Sequence, residues 1–210
     1  MLFRFVIVFL VIAGLYAGFE ISRFAYMDYR LHNPKAAFQV REATQHPEKL
    51  VFVEFVDYAC PFCHELHPNV KDFLDIRPDI TYIARPIVIL PEGPSDKLAR
   101  LALAAGLQGK FWEFHDAFLG YPKDKTIDDA FIRETANLYG VDYDRMVADS
   151  KGKVVDAMMK ENAETAAREG IYSTPTLYIG KTIIRQMGKM LSTADFQRLA
   201  DGLPVETVSQ

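Results

Sequence analysis

A dithiol turn placed directly after an apolar strand constrains this chain more than any other feature. Cys60-Pro61-Phe62-Cys63 holds the only two cysteines among 210 residues, and it follows the run Leu50-Val51-Phe52-Val53-Glu54-Phe55-Val56. The run is rich in β-branched and aromatic residues and predicts a central strand. A helix is expected to begin at the dithiol and reach Phe73 or Leu74, with Pro68 as a kink. A bridge across two residues closes too small a loop to remove much unfolded-chain entropy. A pair so placed serves chemistry rather than stability.

At a helix N-terminus, unpaired backbone N–H groups and the helix dipole favour an anion, so Cys60 is expected to ionise easily. Cys63 lies one turn on, is expected to be more buried, and should stay protonated and resolve. Pro61 suits the first helical turn, where its missing N–H is not needed. Stabilising the thiolate stabilises the reduced form and makes the disulfide a better oxidant. Glu54 interrupts the apolar strand. It reads either as a residue facing water or as a buried carboxylate, which is costly unless paired or protonated.

Other chemistries fit less well. Cys60-Pro61-Phe62-Cys63-His64 satisfies the c-type haem pattern, but a strand immediately before the motif does not suit a haem attachment site. Cys60, Cys63, His64 and His67 share one helix face, yet four ligands on one straight helix do not converge tetrahedrally on a metal. His64 and His67 read as a polar helix face near the site, and His32, His46 and His115 carry no visible role. A net charge of -4 and a pI near 5.7, with no basic stripe, argue against a nucleic-acid partner.

The N-terminus reads as a membrane signal. After Met1-Leu2-Phe3-Arg4, residues Phe5 to Phe19 are uncharged and almost wholly apolar. That length exceeds a usual signal-peptide core, and the segment around Ala13 to Phe19 lacks a good small-x-small cleavage site. An uncleaved signal-anchor over 1–24 is expected, with a cleaved signal as the alternative, then a stalk and linker over 25–49. Ile80 to Arg85 predicts a second strand ended or bent by Pro86. From Ser95, a candidate cap, to Glu169 the pattern is helical. Phe111, Phe114 and Phe118 form a core stripe, Thr126 to Asp129 resembles a capping box, and Gly140 and Gly170 act as stops. Thr176 to Ile179 and Thr182 to Gln186 read as a hairpin turning at Gly180-Lys181. Ser192 caps a last helix, and 203–210 reads as a loose tail.

Two segments, Val53 to Cys63 and Gly170-Ile171-Tyr172-Ser173-Thr174-Pro175-Thr176, resemble in this order the two signatures of the DsbA-like thioredoxin-fold family. The resemblance covers about Leu50 to Ala200. It departs at Phe62, where the best-known member has His, and at Tyr172-Ser173, where many relatives have Gly. The fold implied is α/β: a thioredoxin-like domain over 50–202 with an all-helical insertion at about 95–169, carried by an N-terminal transmembrane signal-anchor helix. The resemblance implies a cis Pro175 packed against the dithiol, Thr174 offering backbone groups to a bound peptide, and Glu54 as a proton acceptor and donor for Cys63. Pro61 and Phe62 would tune the redox pair. The activity implied is thiol–disulfide exchange on exported proteins, with no cofactor beyond the Cys60–Cys63 disulfide and no metal. An oxidase reoxidised by a quinone-linked membrane partner is expected. The alternatives are an isomerase or reductase kept reduced by a membrane reductase, or a metal-handling chaperone on the same fold. The domain is expected in the periplasm or another extracytoplasmic space, anchored to the inner membrane, or free there if a signal is removed.

Overall fold

The computed structural model describes residues 2–45, 50–89, 93–180, 182–185 and 190–205, with side chains from residue 9 onward. His46 to Lys49 at the end of the expected linker, the turn residue Lys181, the strand end at Gln186 and the tail beyond residue 205 lie outside that set. Two parallel strands, β2 (Leu50–Val56) and β3 (Ile80–Pro86), form the centre of a five-stranded sheet, joined by α2 (Pro61–Ile76). β4 (Thr176–Ile179) runs antiparallel on the other side of β2, and β5 (Thr182–Arg185) forms that edge. The opposite edge is β1 (Val40–Arg41), antiparallel to β3, which gives the order β1-β3-β2-β4-β5.

Strand alternation sorts the core into two layers. Phe52 and Val56 of β2, with Tyr82 and Ala84 of β3, face α2, α8 (Thr193–Ala200) and the helices inserted after β3. Val53, Phe55, Ile83 and Tyr178 face the other way, onto Leu31 and Ala166. Both faces of β2 and β3 are therefore buried, which explains their nearly continuous apolar runs.

The insertion comprises α3 (Ser95–Gly106), α4 (Phe111–Leu119), α5 (Asp129–Tyr139), α6 (Tyr143–Asp149) and α7 (Lys153–Arg168). Phe111, Phe114 and Phe118 are fully buried, as their spacing predicts. α7 does not stay within the block. Its first half packs with the insertion through Val155, and its end lies under the sheet through Ala166. It closes with Ile171 N–H donating to the Ala166 carbonyl at 2.9 Å, over Gly170 at φ 65°, the stop expected from sequence. Two caps differ from expectation. Ser95 is the first residue of α3 and caps nothing, because Pro94 holds the cap position. In α5 the cap is Asp128, whose carboxylate accepts from Phe131 N–H, rather than Thr126. Ser192 and Asp195 form a reciprocal capping box on α8. Pro68 sits inside α2 without ending it.

The N-terminal segment departs most from the linear reading. α1 (Leu2–His32) is one continuous helix, and its stretch Phe9–His32 is long and apolar enough to cross a membrane by length and composition. Within the segment read as linker, residues 37–39 form a 3-10 turn that leads into β1. Phe38 packs onto α3 where Gly106 leaves room: a Cβ there would meet the ring at 2.3 Å. The end of α1 is gripped by Arg85, whose guanidinium is fully buried. It donates to the carbonyls of Arg30 and, at 3.0 Å, Leu31. It also donates to Glu161 at 3.3 Å and Asn162 at 3.1 Å on α7. The last carbonyls of a helix lack intrahelical partners, and here a strand cation supplies them.

Candidate active site

Beyond β2 the chain turns sharply, and Asp57 controls the turn. Its carboxylate accepts from Ala59 N–H at 2.9 Å and Ile89 N–H at 3.0 Å, while its carbonyl accepts from Cys60 N–H at 3.0 Å. These bonds deliver Cys60 to the N-cap of α2, with Pro61 as the first helical residue. The register Phe55↔Thr176 brings the start of β4 to the same place. There the Thr174–Pro175 peptide is cis, and the Thr174 carbonyl accepts from the Cys60 thiol at 3.3 Å. Two segments 114 residues apart thus meet at one sulfur. Phe62 and Tyr172, one from each segment, are both exposed. His64 spans the Tyr58 carbonyl at 2.8 Å and the Tyr121 carbonyl at 2.9 Å, tying the turn to the insertion.

The two sulfurs are unlike. Cys63 is fully buried and Cys60 partly exposed. A hydrogen bond from the Cys63 thiol is the main cause that lowers the Cys60 pKa to about 6, working against partial burial. Thr174 and the main-chain N–H groups of Cys63 and Phe62 add to it. Burial, together with that same hydrogen bond and the neighbouring Cys60 and Glu54 charges, pushes the Cys63 thiol well up. One sulfur is set to ionise and the other to hold its proton.

Glu54 lies on the dithiol side of the sheet and is fully buried. Desolvation raises its pKa to about 7, a hydrogen bond from Tyr82 opposes the shift, and the charge on Asp116 adds to it. Tyr82 Oη donates to Glu54 Oε2, while Oε1 makes no hydrogen bond to any described residue. Behind Tyr82, His115 Nε2 stands 3.2 Å from Tyr82 Oη, and His115 Nδ1 stands 3.1 Å from Tyr58 Oη. All four side chains are essentially inaccessible.

Sequence reasoning missed Tyr58, Tyr82 and His115. Two signals were present: Tyr82 shares the strand phase of Glu54 across the register Glu54↔Ala84, and His115 interrupts the stripe of Phe111 and Phe118. The polar face expected for His67 is wrong. It is buried, both ring nitrogens lack a hydrogen-bond partner among the described residues, and desolvation lowers its pKa to about 4.

Compared with known proteins, the profile of the DSBA-like thioredoxin domain matches residues 51–203. The chain belongs to this family. Among solved structures, a thioredoxin-like oxidoreductase from Silicibacter pomeroyi is similar at 27% identity and a TM-score of 0.71, covering 83% of this chain and 95% of that one. The thiol-disulfide exchange protein alpha-DsbA2 from Wolbachia pipientis shares the fold at 20% identity and a TM-score of 0.68, over 86% and 92% of the two chains. A curated relative, the Na(+)/H(+) antiporter NhaA 1 of Salinispora arenicola, is 30% identical over 131 residues, which is 60% of this chain and 19% of that protein. The chain thus spans about a fifth of the length of the curated relatives it matches.

Proposed function

We propose that this protein is a thiol–disulfide oxidoreductase acting as an oxidase on exported proteins. The observation that carries the reading is the asymmetry of the two sulfurs, one poised to ionise at about pH 6 and the other buried and protonated. A client thiolate attacks Cys60 Sγ of the disulfide form. The S–S bond breaks, its electron pair goes to Cys63 Sγ, and Cys63 takes up a proton. A second client thiolate then attacks the client sulfur of the mixed disulfide and expels Cys60 as a thiolate. The client leaves oxidised by two electrons and the enzyme is reduced by two. A quinone-linked membrane oxidase then removes those electrons.

A fall in the Cys60 pKa from about 8.5 to about 6 corresponds to at most ~75 mV in favour of the dithiol, less once solvent screening at the partly exposed sulfur is allowed for. Glu54 is the proton donor and acceptor for Cys63. Thr174 and the cis Pro175 offer main-chain groups to a client peptide, and Pro61 and Phe62 tune the pair. α1 anchors the domain to the membrane with the dithiol on the extracytoplasmic side.

Two measurements test this. Rapid alkylation of the reduced protein across pH is expected to give a Cys60 midpoint near 6, against about 8.5 for a free cysteine. Cys63→Ala is expected to accumulate mixed disulfides with reduced clients, seen by mass spectrometry. A midpoint near the free value, together with no catalysed oxidation of a client, overturns the reading.

A further inference from the structure

His115 belongs to two constellations, and geometry decides between them. With His67 and Asp116 it forms a group whose candidate ligand atoms lie within 4.8 Å of one another. Yet both His115 nitrogens already face tyrosine hydroxyls, so the trio does not offer three open ligands. The second constellation is a line of hydrogen bonds from Glu54 through Tyr82 and His115 to Tyr58.

The donors in that line can be assigned. Tyr82 gives its only proton to the Glu54 carboxylate, so its oxygen accepts from His115, which must carry its proton on Nε2. Nδ1 is then the acceptor and Tyr58 the donor. Burial lowers the His115 pKa well below the ordinary value, so the ring stays neutral and one nitrogen must always be free to accept. With Glu54 protonated on Oε2, every bond reverses: Glu54 donates to Tyr82, Tyr82 to Nε2, and Nδ1–H to Tyr58. The two arrangements differ by one proton passed along the line.

We propose that His115 is a positioning residue for thiol–disulfide exchange, part of a Tyr58–His115–Tyr82 relay that restores to Glu54 the proton it gives to Cys63. The proposal rests on the oxidoreductase reading above. When Cys63 leaves as a thiolate, Glu54 supplies the proton from Oε1, which has no hydrogen-bond partner among the described residues, while Oε2 still accepts from Tyr82 and His115 still carries its proton on Nε2; Glu54 is left as a carboxylate. The Tyr82 proton then moves to Glu54, the Nε2 proton to Tyr82 and the Tyr58 proton to Nδ1, while a proton from water replaces the one on Tyr58. Tyr58 also lines a cleft of about 250 Å³ with His64, Lys123 and Asp124. It is the member of the line that borders this cleft, and its side chain is itself buried. The protons move together, so each phenol and the imidazole end neutral and no charge is stranded in the core. The charged or titratable groups facing the line are His67 and Lys71 from α2, Arg41 from β1, Asp116 from α4 and Cys63 itself. None of these stands between its members.

Nitrogen-15 NMR of the histidine rings of the intact wild-type protein, followed from pH 5 to 9, reads the relay directly. The expected result is a tautomer exchange at His115, from Nδ1–H below the Glu54 midpoint to Nε2–H above it. A midpoint near 7 is expected. A merely structural histidine keeps one tautomer throughout, and that result overturns the relay. Multiple-turnover oxidation of a peptide dithiol, with glutathione disulfide as the reoxidant, gives the second arm. Tyr82→Phe and His115→Gln are each expected to slow it about tenfold or more at pH 7 and to flatten its pH profile, with the Cys60 alkylation midpoint unchanged. Wild-type rates and profiles in both folded variants overturn the relay while leaving the oxidoreductase reading intact. If the wild type itself fails to exchange, the oxidoreductase reading falls, and the tautomer measurement still judges the hydrogen-bonded line.

Discussion

A carboxyl group and an imidazole buried within one core set opposite pH dependences. Glu54 titrates near 7 in the folded protein against a usual 4.5. The folded state therefore holds this proton more tightly than the unfolded chain. Stability from this source is fully present below pH 4.5 and lost as pH rises through 7, by about 3 kcal/mol. His67 runs the other way, from 6.5 down to about 4, so stability present above pH 6.5 is lost as pH falls through 4. Between pH 4.5 and 6.5 the two effects oppose each other. Glu54→Gln removes only the first. Its stability relative to wild type is expected to rise from near zero below pH 4.5 to as much as ~3 kcal/mol above pH 7, measured by denaturant unfolding across pH. The same substitution is expected to slow exchange. A constant difference across pH would assign the change to packing instead.

At the scale of elements, the dithiol helix, the central strands and the hairpin were legible because each is a local pattern. Leu50 to Val56 is a continuous apolar run, Cys60-Pro61 reads as a helix start, and Gly170-Ile171 closes α7 by a motif written in adjacent residues. What stayed hidden depends on distant pairing. β1 is two residues long and exists only because β3 offers a free edge to Val40 and Arg41, so no periodicity could announce it. Tyr82 and His115 became partners only when register and helix packing joined residues 33 apart in sequence. Arg85 shows the same limit. In the sequence it ends a strand, but in the fold it caps α1 and neutralises Glu161, which is also buried. Arg85→Ala is expected to lower stability by about 1–3 kcal/mol, because two helix-end carbonyls lose their donor while Glu161 keeps Arg30 at 3.4 Å and the Lys35 N–H at 3.0 Å. Lysine should not restore the loss, since one ammonium cannot reproduce the planar fork. Chemical denaturation of both variants checks this.

For the whole molecule, the grip of Arg85 on α1 decides how the thioredoxin-fold domain is carried. On the anchor reading proposed above, α1 is 31 residues, or about 46 Å of helix against a hydrocarbon layer of ~30 Å. About three turns of helix then remain between lipid and the end that Arg85 holds. Spin labels at Tyr29 and Leu138, both exposed, introduced with Cys60 and Cys63 replaced by serine, are expected to give one narrow distance distribution in bilayer discs. Arg85→Ala should broaden it, and a broad distribution in the otherwise unaltered protein would show a loose hinge. A tether that swings would let the sulfur sweep a hemisphere in search of clients. On the same reading, a bolted mast would hold it at one height and bearing, so which newly exported chains it oxidised would be decided by where they emerge, and not by the tumbling of the enzyme.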